Sequence, residues 1–264
     1  MTHAAHTFPV TAWRTGRHTP ATRFLPEETA VALTYDRATF AVMMATPRDL
    51  EDFAVGFSLS EGIIAAPCDI MALEIIGLEA GVECRLALTP ARRDALEARR
   101  RRIAGPAGCG LCGIDSLAEA IRAPTPVTST ATISAGALQS AFTSLGAAQT
   151  LNHQTRAVHA AAFLSGETLL VREDIGRHNA LDKVIGAALR QDANPNTGVI
   201  LLTSRVSIEL IQKTAIFGAP ILAAISVPTA RAVREAEAAN ITLIAIARDD
   251  GFEVFTHPTR ITTI

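Results

Sequence analysis

From residue 134 to residue 247 the chain alternates between two hydrophobic periods, and that alternation constrains its fold more than any other feature. A 3.6-residue pattern predicts a helix from Ser134 to about Leu145, with Ala137, Leu138, Ala141, Phe142 and Leu145 on one face. Strands follow at 158–164 and 168–172, turning at Ser165-Gly166. The helix after Gly176 carries Leu181, Val184, Ile185, Ala188 and Leu189 on one stripe. Strand 198–203, helix 207–217, strand 220–226, helix 229–239 and strand 241–247 complete the series. The order α-β-β-α-β-α-β-α-β predicts a mostly parallel sheet covered by helices on both faces.

Pro124-Thr125-Pro126 marks a boundary between two units, residues 1–125 and 126–264. The first unit reads as a small α+β domain. About twenty residues, broken by Pro9, Gly16 and Pro20, form a loosely held arm. Runs 30–35 and 39–44 predict a hairpin turning at Asp36-Arg37. Pro47 opens an amphipathic helix with Leu50, Phe53, Ala54 and Phe57 at helical spacing, and Gly62 follows it. Strands are expected at 71–78 and 83–89, then an arginine-rich helix whose charges mostly serve a solvated face.

The chain of 264 residues is long enough to bury a large core. A composition 48% hydrophobic and 19% charged, with net charge -2, is that of a globular domain without general affinity for nucleic acid. The N-terminus lacks the apolar segment of a signal peptide, and the most apolar run, 215–227, is cut by Gly218 and Pro220 and too short to span a bilayer. Four cysteines in a chain this long predict free thiols in the cytoplasm.

Two of those cysteines stand in Gly108-Cys109-Gly110-Leu111-Cys112-Gly113, where glycine and the upstream Gly105-Pro106 exclude regular structure. Ser116 and Glu119 have the spacing of a capping box for a helix just downstream. Arginines 92, 93 and 99–102 lie upstream, and guanidinium groups together with a helix N-terminus favour a thiolate. Three readings fit the pair: inert thiols or half of a structural zinc site, a redox dithiol, or a cysteine that carries a group on its sulfur. Zinc requires two further ligands, and Cys68 and Cys84 form no pairing motif. The thioredoxin type sets its pair between strand and helix, which this context lacks.

Ligand sites in such sheets lie outside the carboxyl ends of the strands. Those ends carry Glu173-Asp174-Ile175-Gly176-Arg177-His178-Asn179, Thr203-Ser204-Arg205-Val206-Ser207, Ser226-Val227-Pro228-Thr229 and Arg248-Asp249-Asp250-Gly251. Helix N-termini, hydroxyls and three arginines on one edge suit phosphate groups, and Asp249 or Asp250 can accept from a guanine base. Ordinary capping by Ser207 and Thr229 and a turn at Asp-Asp-Gly explain the same residues singly. His159 reads as a sheet residue; His178, beside Arg177 at a helix entrance, is the better functional candidate. The element order is also that of the zinc-dependent base deaminases. Their zinc-ligand positions at the second and third helices are occupied here by Arg177-His178-Asn179-Ala180 and Ser204-Arg205-Val206-Ser207, without the ligating cysteines.

The sequence resembles the formate dehydrogenase accessory sulfurtransferases, the FdhD family. The resemblance rests on 42–47 and 49–62, on Cys109-Gly110-Leu111-Cys112-Gly113, on His159-Ala160-Ala161, on Glu173 through Lys183, and on 204–210. It implies a cytidine-deaminase-like, three-layer α/β larger domain without zinc, a smaller N-terminal α+β domain, and a homodimer. The implied activity is that of a sulfurtransferase acting as a persulfide carrier. Sulfur is taken from a cysteine desulfurase and passed to the molybdenum or tungsten centre of the bis(molybdopterin guanine dinucleotide) cofactor, a bound substrate, for the formate dehydrogenase catalytic subunit. Carried over by position, Cys109 is the persulfide cysteine and Cys112 its neighbour, and Ile246, Ala247, Arg248, Asp249, Asp250 and Gly251 contact the cofactor. A cofactor-binding maturation chaperone that moves no sulfur is the alternative. Where the family carries Thr-Gly-Gly before His-Ala-Ala, Thr155-Arg156-Ala157 stands here, so that loop is expected to be built differently; Asp249 also replaces a usual glycine.

Overall fold

The structure, a computed structural model, describes residues 3–103 and 125–263. The chain opens with a long hairpin, β1 (Ala5–Arg14) and β2 (Arg17–Pro26), paired along its whole length. Its two-residue turn, Thr15-Gly16, has φ of 49° and 77°, the primed geometry that matches strand twist. The expected loose arm is therefore a regular ribbon; threonine, valine and aromatic residues outweigh its prolines, which stand where no further strand pairs.

A four-stranded sheet follows, with β3 (Thr29–Tyr35), β4 (Ala38–Ala45), β5 (Ile70–Leu78) and β6 (Gly81–Leu88) in the order β4-β3-β6-β5. Only β3 and β6 pair in parallel. The turn at Asp36-Arg37 falls as expected, with φ of 47° and 70°. One face of this sheet, Val31, Leu33, Tyr35, Cys84, Leu86 and Leu88, is buried against helix α1 (Leu50–Ser60) through Phe53, Ala54 and Phe57. Helix α2 (Pro90–Ile103) then packs Leu96 inward. Three of its arginines are tied down rather than solvated: Arg92 to Asp69 at 2.8 Å, Arg93 to Asp36 at 3.4 Å, and Arg99 to the Glu61 carbonyl at 2.7 Å.

The larger unit contains α3 (Ala135–Ala148), α4 (Thr150–Thr155), β8 (His159–Ser165), β9 (Thr168–Asp174), α5 (Arg177–Arg190), β10 (Val199–Leu202), α6 (Ile208–Phe217), β11 (Ile221–Ala224), α7 (Ala230–Ala238), β12 (Thr242–Arg248) and β13 (Gly251–Val254). Short strand β7 (Ile133–Ser134) pairs with β14 (Ile261–Thr262). The expected element order holds, but the sheet is mixed rather than mostly parallel. Its order is β13-β12-β11-β10-β8-β9, and only β10-β11 and β11-β12 pair in parallel. The tight turns joining β8 to β9 and β12 to β13 force antiparallel neighbours at both edges.

Residues alternate across this sheet. Ala160, Ala162, Leu201, Ala223 and Ile244 face α3, while Ala161, Phe163, Ile200, Leu222 and Leu243 face α5, α6 and α7. That second face shares one continuous cluster with α1 and the four-stranded sheet. Helix α4 escapes the periodic pattern because six residues are too few to display it. Its N-terminal N–H groups at Leu151 and Asn152 donate to Glu173 at 2.8 and 2.7 Å. Arg156, which ends it, has φ 57°, so this position carries the left-handed turn that glycine favours.

Candidate functional site

Much of the signature from Glu173 to Lys183 fastens β9 and α5 to the segment Met44–Thr46 at the end of β4. Lys183 and Asp174 form a fully buried ion pair at 2.7 Å. Asp174 also accepts from the N–H groups of Thr46 and Gly176 at 3.0 and 2.7 Å and from the Asn179 amide at 3.0 Å. Lys183 donates to the Thr46 carbonyl at 2.9 Å, and Asn179 to that of Met44 at 2.9 Å. Burial pulls the Lys183 ammonium below its ordinary pKa, against the attraction of Asp174. Asp182 accepts from Ser60 at 2.7 Å and pairs with Lys213 at 2.8 Å. Asp52 is gripped by Arg172 at 2.7 Å and Arg190 at 2.6 Å. Every one of these groups has its partner, so none of them is free to bind a ligand.

What remains is the edge beyond the carboxyl ends of β9, β10, β11 and β12, which run in one direction. The segments that follow these strands touch one another in turn. Val206 and Pro228 form a parallel bridge, with Thr229 N–H donating to the Val206 carbonyl at 3.0 Å. Ile246 N–H donates to the Ser226 carbonyl at 3.2 Å, and the Arg248 guanidinium reaches the Ile225 carbonyl. On the other side the Ser207 hydroxyl lies 3.5 Å from His178 Nε2, and Glu209 lies 3.9 Å from the same nitrogen.

Capping explains Thr229, whose hydroxyl accepts from Ala232 N–H at 3.1 Å. It does not explain Ser207, whose side chain makes no cap bond at the start of α6. Thr203 is structural, bonding both the N–H and the carbonyl of Ala160 at the end of β10. Ser204 is buried with its hydroxyl on the Arg205 carbonyl, and Arg205 is exposed.

The titratable groups along the edge are shifted by their surroundings. Burial, and then the nearby Arg177 charge, push both His159 and His178 below the ordinary histidine pKa, with Lys213 adding to the effect on His178. Both imidazoles are therefore neutral at pH 7. Burial opposes ionisation of Glu209. The bonds from Ser207 and its own backbone, with the Arg177 charge, nevertheless hold its pKa below the usual value. Arg177 Nε is buried without a hydrogen-bond partner among the described residues. His159 stands in β8, as its alternation predicts, and Arg177 lies beside His178 at the helix entrance; Glu209 next to His178 is the member of the edge that the sequence did not single out. The i to i+2 spacing of Ser207 and Glu209 at a helix start was the available signal.

Ile246 to Gly251 form the β12–β13 turn. Ile246 has φ 53°, at an irregularity of pairing between Ala245 and Arg248, and Ala247 after it is buried. Arg248, Asp249 and Asp250 are exposed, and Arg248 also donates to the Ala247 carbonyl at 3.0 Å. The structure thus brings this turn beside the β11 segment, one strand away from the β10 segment that leads to Ser207. Cys109, Cys112, Ser116 and Glu119 lie outside the described residues. Cys68 is exposed; Cys84 is fully buried, and burial pushes its thiol up to about 12. Among the described residues no cluster of three or more His, Cys, Asp or Glu can hold a metal ion, and no helix is long and apolar enough to cross a membrane.

Fold and edge together define a mixed α/β protein with a row of polar segments at the strand ends of its larger sheet. The model of the FdhD/NarQ family matches residues 26–262, and the chain belongs to that family. It is 50% identical over 256 residues to a protein named sulfur carrier protein FdhD from Agrobacterium fabrum, covering 95% of this chain and 94% of that one. A namesake from Cupriavidus necator is 47% identical over 257 residues, covering 97% and 89%. The crystal structure of a Desulfotalea psychrophila protein, proposed to be a formate dehydrogenase accessory protein, shares the fold with TM-score 0.77. It is 23% identical and covers 98% of this chain and all of that one.

Proposed function

We propose that the protein is a cytoplasmic sulfurtransferase that carries sulfur as a persulfide and matures formate dehydrogenase. The observation that carries this reading is similarity over nearly the whole chain to proteins named sulfur carrier protein FdhD, in a chain that holds Cys109 and Cys112. In this reading the Cys109 thiolate attacks the persulfide of a cysteine desulfurase, taking the terminal sulfur and releasing the donor thiol. Release of that sulfur as sulfide needs two electrons. Cys112 supplies them by forming a disulfide with Cys109.

The acceptor is the molybdenum or tungsten bis(molybdopterin guanine dinucleotide), a substrate destined for the formate dehydrogenase catalytic subunit. Its guanine and phosphate ends meet the strand-end edge, with Ile246, Ala247, Arg248, Asp249, Asp250 and Gly251 as the main contact. The neutral His178, the Ser207 hydroxyl and the Arg177 guanidinium add hydrogen-bond donors. Residues 126–264 are the cargo-binding unit, a zinc-free variant of the deaminase architecture, and residues 1–125 the unit ending in the thiols.

Incubation with a cysteine desulfurase and cysteine, followed by intact mass, tests the reading. The wild type gains one sulfur and Cys109→Ser gains none. A Cys109→Ser protein that loads sulfur normally and still supports formate dehydrogenase sinks the assignment and favours a cofactor chaperone.

A further inference from the structure

At the corner where α5 and α6 begin, a carboxylate stands in the way of an anionic ligand. Glu209 lies 3.9 Å from His178 Nε2, and the Ser207 hydroxyl lies 3.5 Å from the same nitrogen. The Glu209 side chain is 57% exposed and that of His178 33%, so a ligand can reach both from solvent. Glu209 is held ionised by its bonds to Ser207 and its own backbone, with the Arg177 charge in support. A phosphate entering here meets a like charge at close range.

The other charges around His178 only partly offset this. Arg177 and Asp182 stand on its own helix, α5, and Lys213 stands with Glu209 on α6. Lys213 and Asp182 are spent on each other at 2.8 Å. That leaves the Arg177 guanidinium, whose Nε is buried without a hydrogen-bond partner among the described residues. The hydrogen-bond count is also one short. Burial, with the Arg177 and Lys213 charges, keeps His178 neutral in the free protein, and a neutral imidazole has a single N–H. Carboxylate and ionised phosphate oxygens only accept. The ring can therefore donate to Glu209 or to a phosphate, not to both.

We infer, resting on the reading that the phosphates of the cargo reach this edge, that their binding draws one proton from solvent onto His178. The imidazolium then stands between Glu209 and the phosphate, with an N–H for each. A pair of anions that repel becomes a row of anion, cation and anion, and Glu209 turns from an obstacle into the group that holds the charged ring in place. His159, on β8, provides the contrast. It too is kept neutral by burial and Arg177, but its acidic neighbour Asp174 is already paired with Lys183 at 2.7 Å.

Calorimetry of GDP binding to the full chain at pH 7.0, in two buffers of different ionisation enthalpy, counts the protons. A terminal phosphate with a pKa of about 6 is mostly ionised at that pH, and its contribution is the same for every variant. The wild type takes up about half a proton or more per GDP, as an added anion beside a histidine requires. His178→Asn takes up none, and His159→Asn takes up as much as the wild type. Proton NMR of the wild type reads the same event without a variant: one histidine titrates at higher pH with GDP than without it. GDP that binds the wild type with no proton uptake and no shifted histidine would overturn the inference and leave the cargo site standing. An uptake that persists in His178→Asn, or vanishes in His159→Asn, would do the same. A wild type that binds no GDP would overturn the reading of the edge itself, and this inference with it.

Discussion

Gly56 and Gly186 meet with no room for a side chain on either. A methyl group on Gly56 would come within 1.8 Å of the Asp182 carbonyl oxygen, and one on Gly186 within 1.9 Å of that of Asp52. Helices α1 and α5 therefore touch backbone to backbone, which lets Asp52 reach Arg190 and Asp182 reach the Ser60 hydroxyl across the crossing. Gly56→Ala and Gly186→Ala should each cost about 3 kcal/mol or more by forcing the helices apart. Gly146→Ala, in α3 where an added methyl meets nothing within 4 Å, should be neutral or stabilising by up to about 1 kcal/mol. Urea denaturation of the three variants checks the contrast.

The Lys183–Asp174 pair joins the end of β9 and helix α5 to Thr46. Lys183→Met leaves a buried carboxylate without its cation, so its expected cost is about 3–5 kcal/mol. The loss should appear as a lower urea midpoint, even before any loss of sulfur transfer. A variant as stable as the wild type would show that the pair is dispensable to the fold.

The elements of the larger unit were legible because each carries its own period, as in the α5 stripe from Leu181 to Ala188. Sheet direction was not legible: a turn such as Ser165-Gly166 fixes one antiparallel pair, yet nothing local says that β8 lies between β9 and β10. The ribbon was misread because Pro9, Gly16 and Pro20 suggest breaks, whereas Gly16 makes the turn and the prolines occupy an unextended edge. The strand-end site was legible as a set of polar segments. Which of its members are structural was not, since Asp174, Asn179 and Lys183 find their partners more than a hundred residues away at Met44 and Thr46.

Thiol reactivity should separate the cysteines sharply. In a Cys109→Ser, Cys112→Ser protein, iodoacetamide at neutral pH should modify Cys68, which is exposed, and spare Cys84. Cys84 is fully buried with its thiol pushed up to about 12, so thiolate is scarce and access is closed. Mass spectrometry should find a single adduct in the native protein and a second only after denaturation. Two adducts in the native state would contradict the packing of β6 against α1.

Acid should weaken the fold through the two strand-end histidines. Burial and the Arg177 charge hold His159 and His178 below their ordinary value of 6.5. As pH falls through 6.5 the unfolded chain takes up protons that the folded chain refuses, so stability drops with falling pH until the folded pKa is passed. The urea midpoint of the wild type should therefore fall below pH 6.5, and His178→Asn with His159→Asn should flatten that fall. An unchanged slope in the double variant would mean that neither ring resists protonation in the folded state.

Arg248 offers the sharpest separation of cargo binding from sulfur loading. Its guanidinium is fixed by the carbonyls of Ile225 and Ala247 at the exposed β12–β13 turn, where it adds charge to the strand-end edge. A charge-assisted hydrogen bond to phosphate contributes about 1.5–3 kcal/mol, equivalent to about ten- to a hundredfold in affinity. Arg248→Ala should therefore bind GDP, a fragment of the guanine dinucleotide, more weakly by that factor in calorimetry. Persulfide loading at Cys109 should persist in the same variant, because the thiols lie far along the chain from this turn. Equal GDP affinity for the wild type and Arg248→Ala would move the cargo site away from the β12–β13 turn, while loss of loading would tie the two steps to one surface.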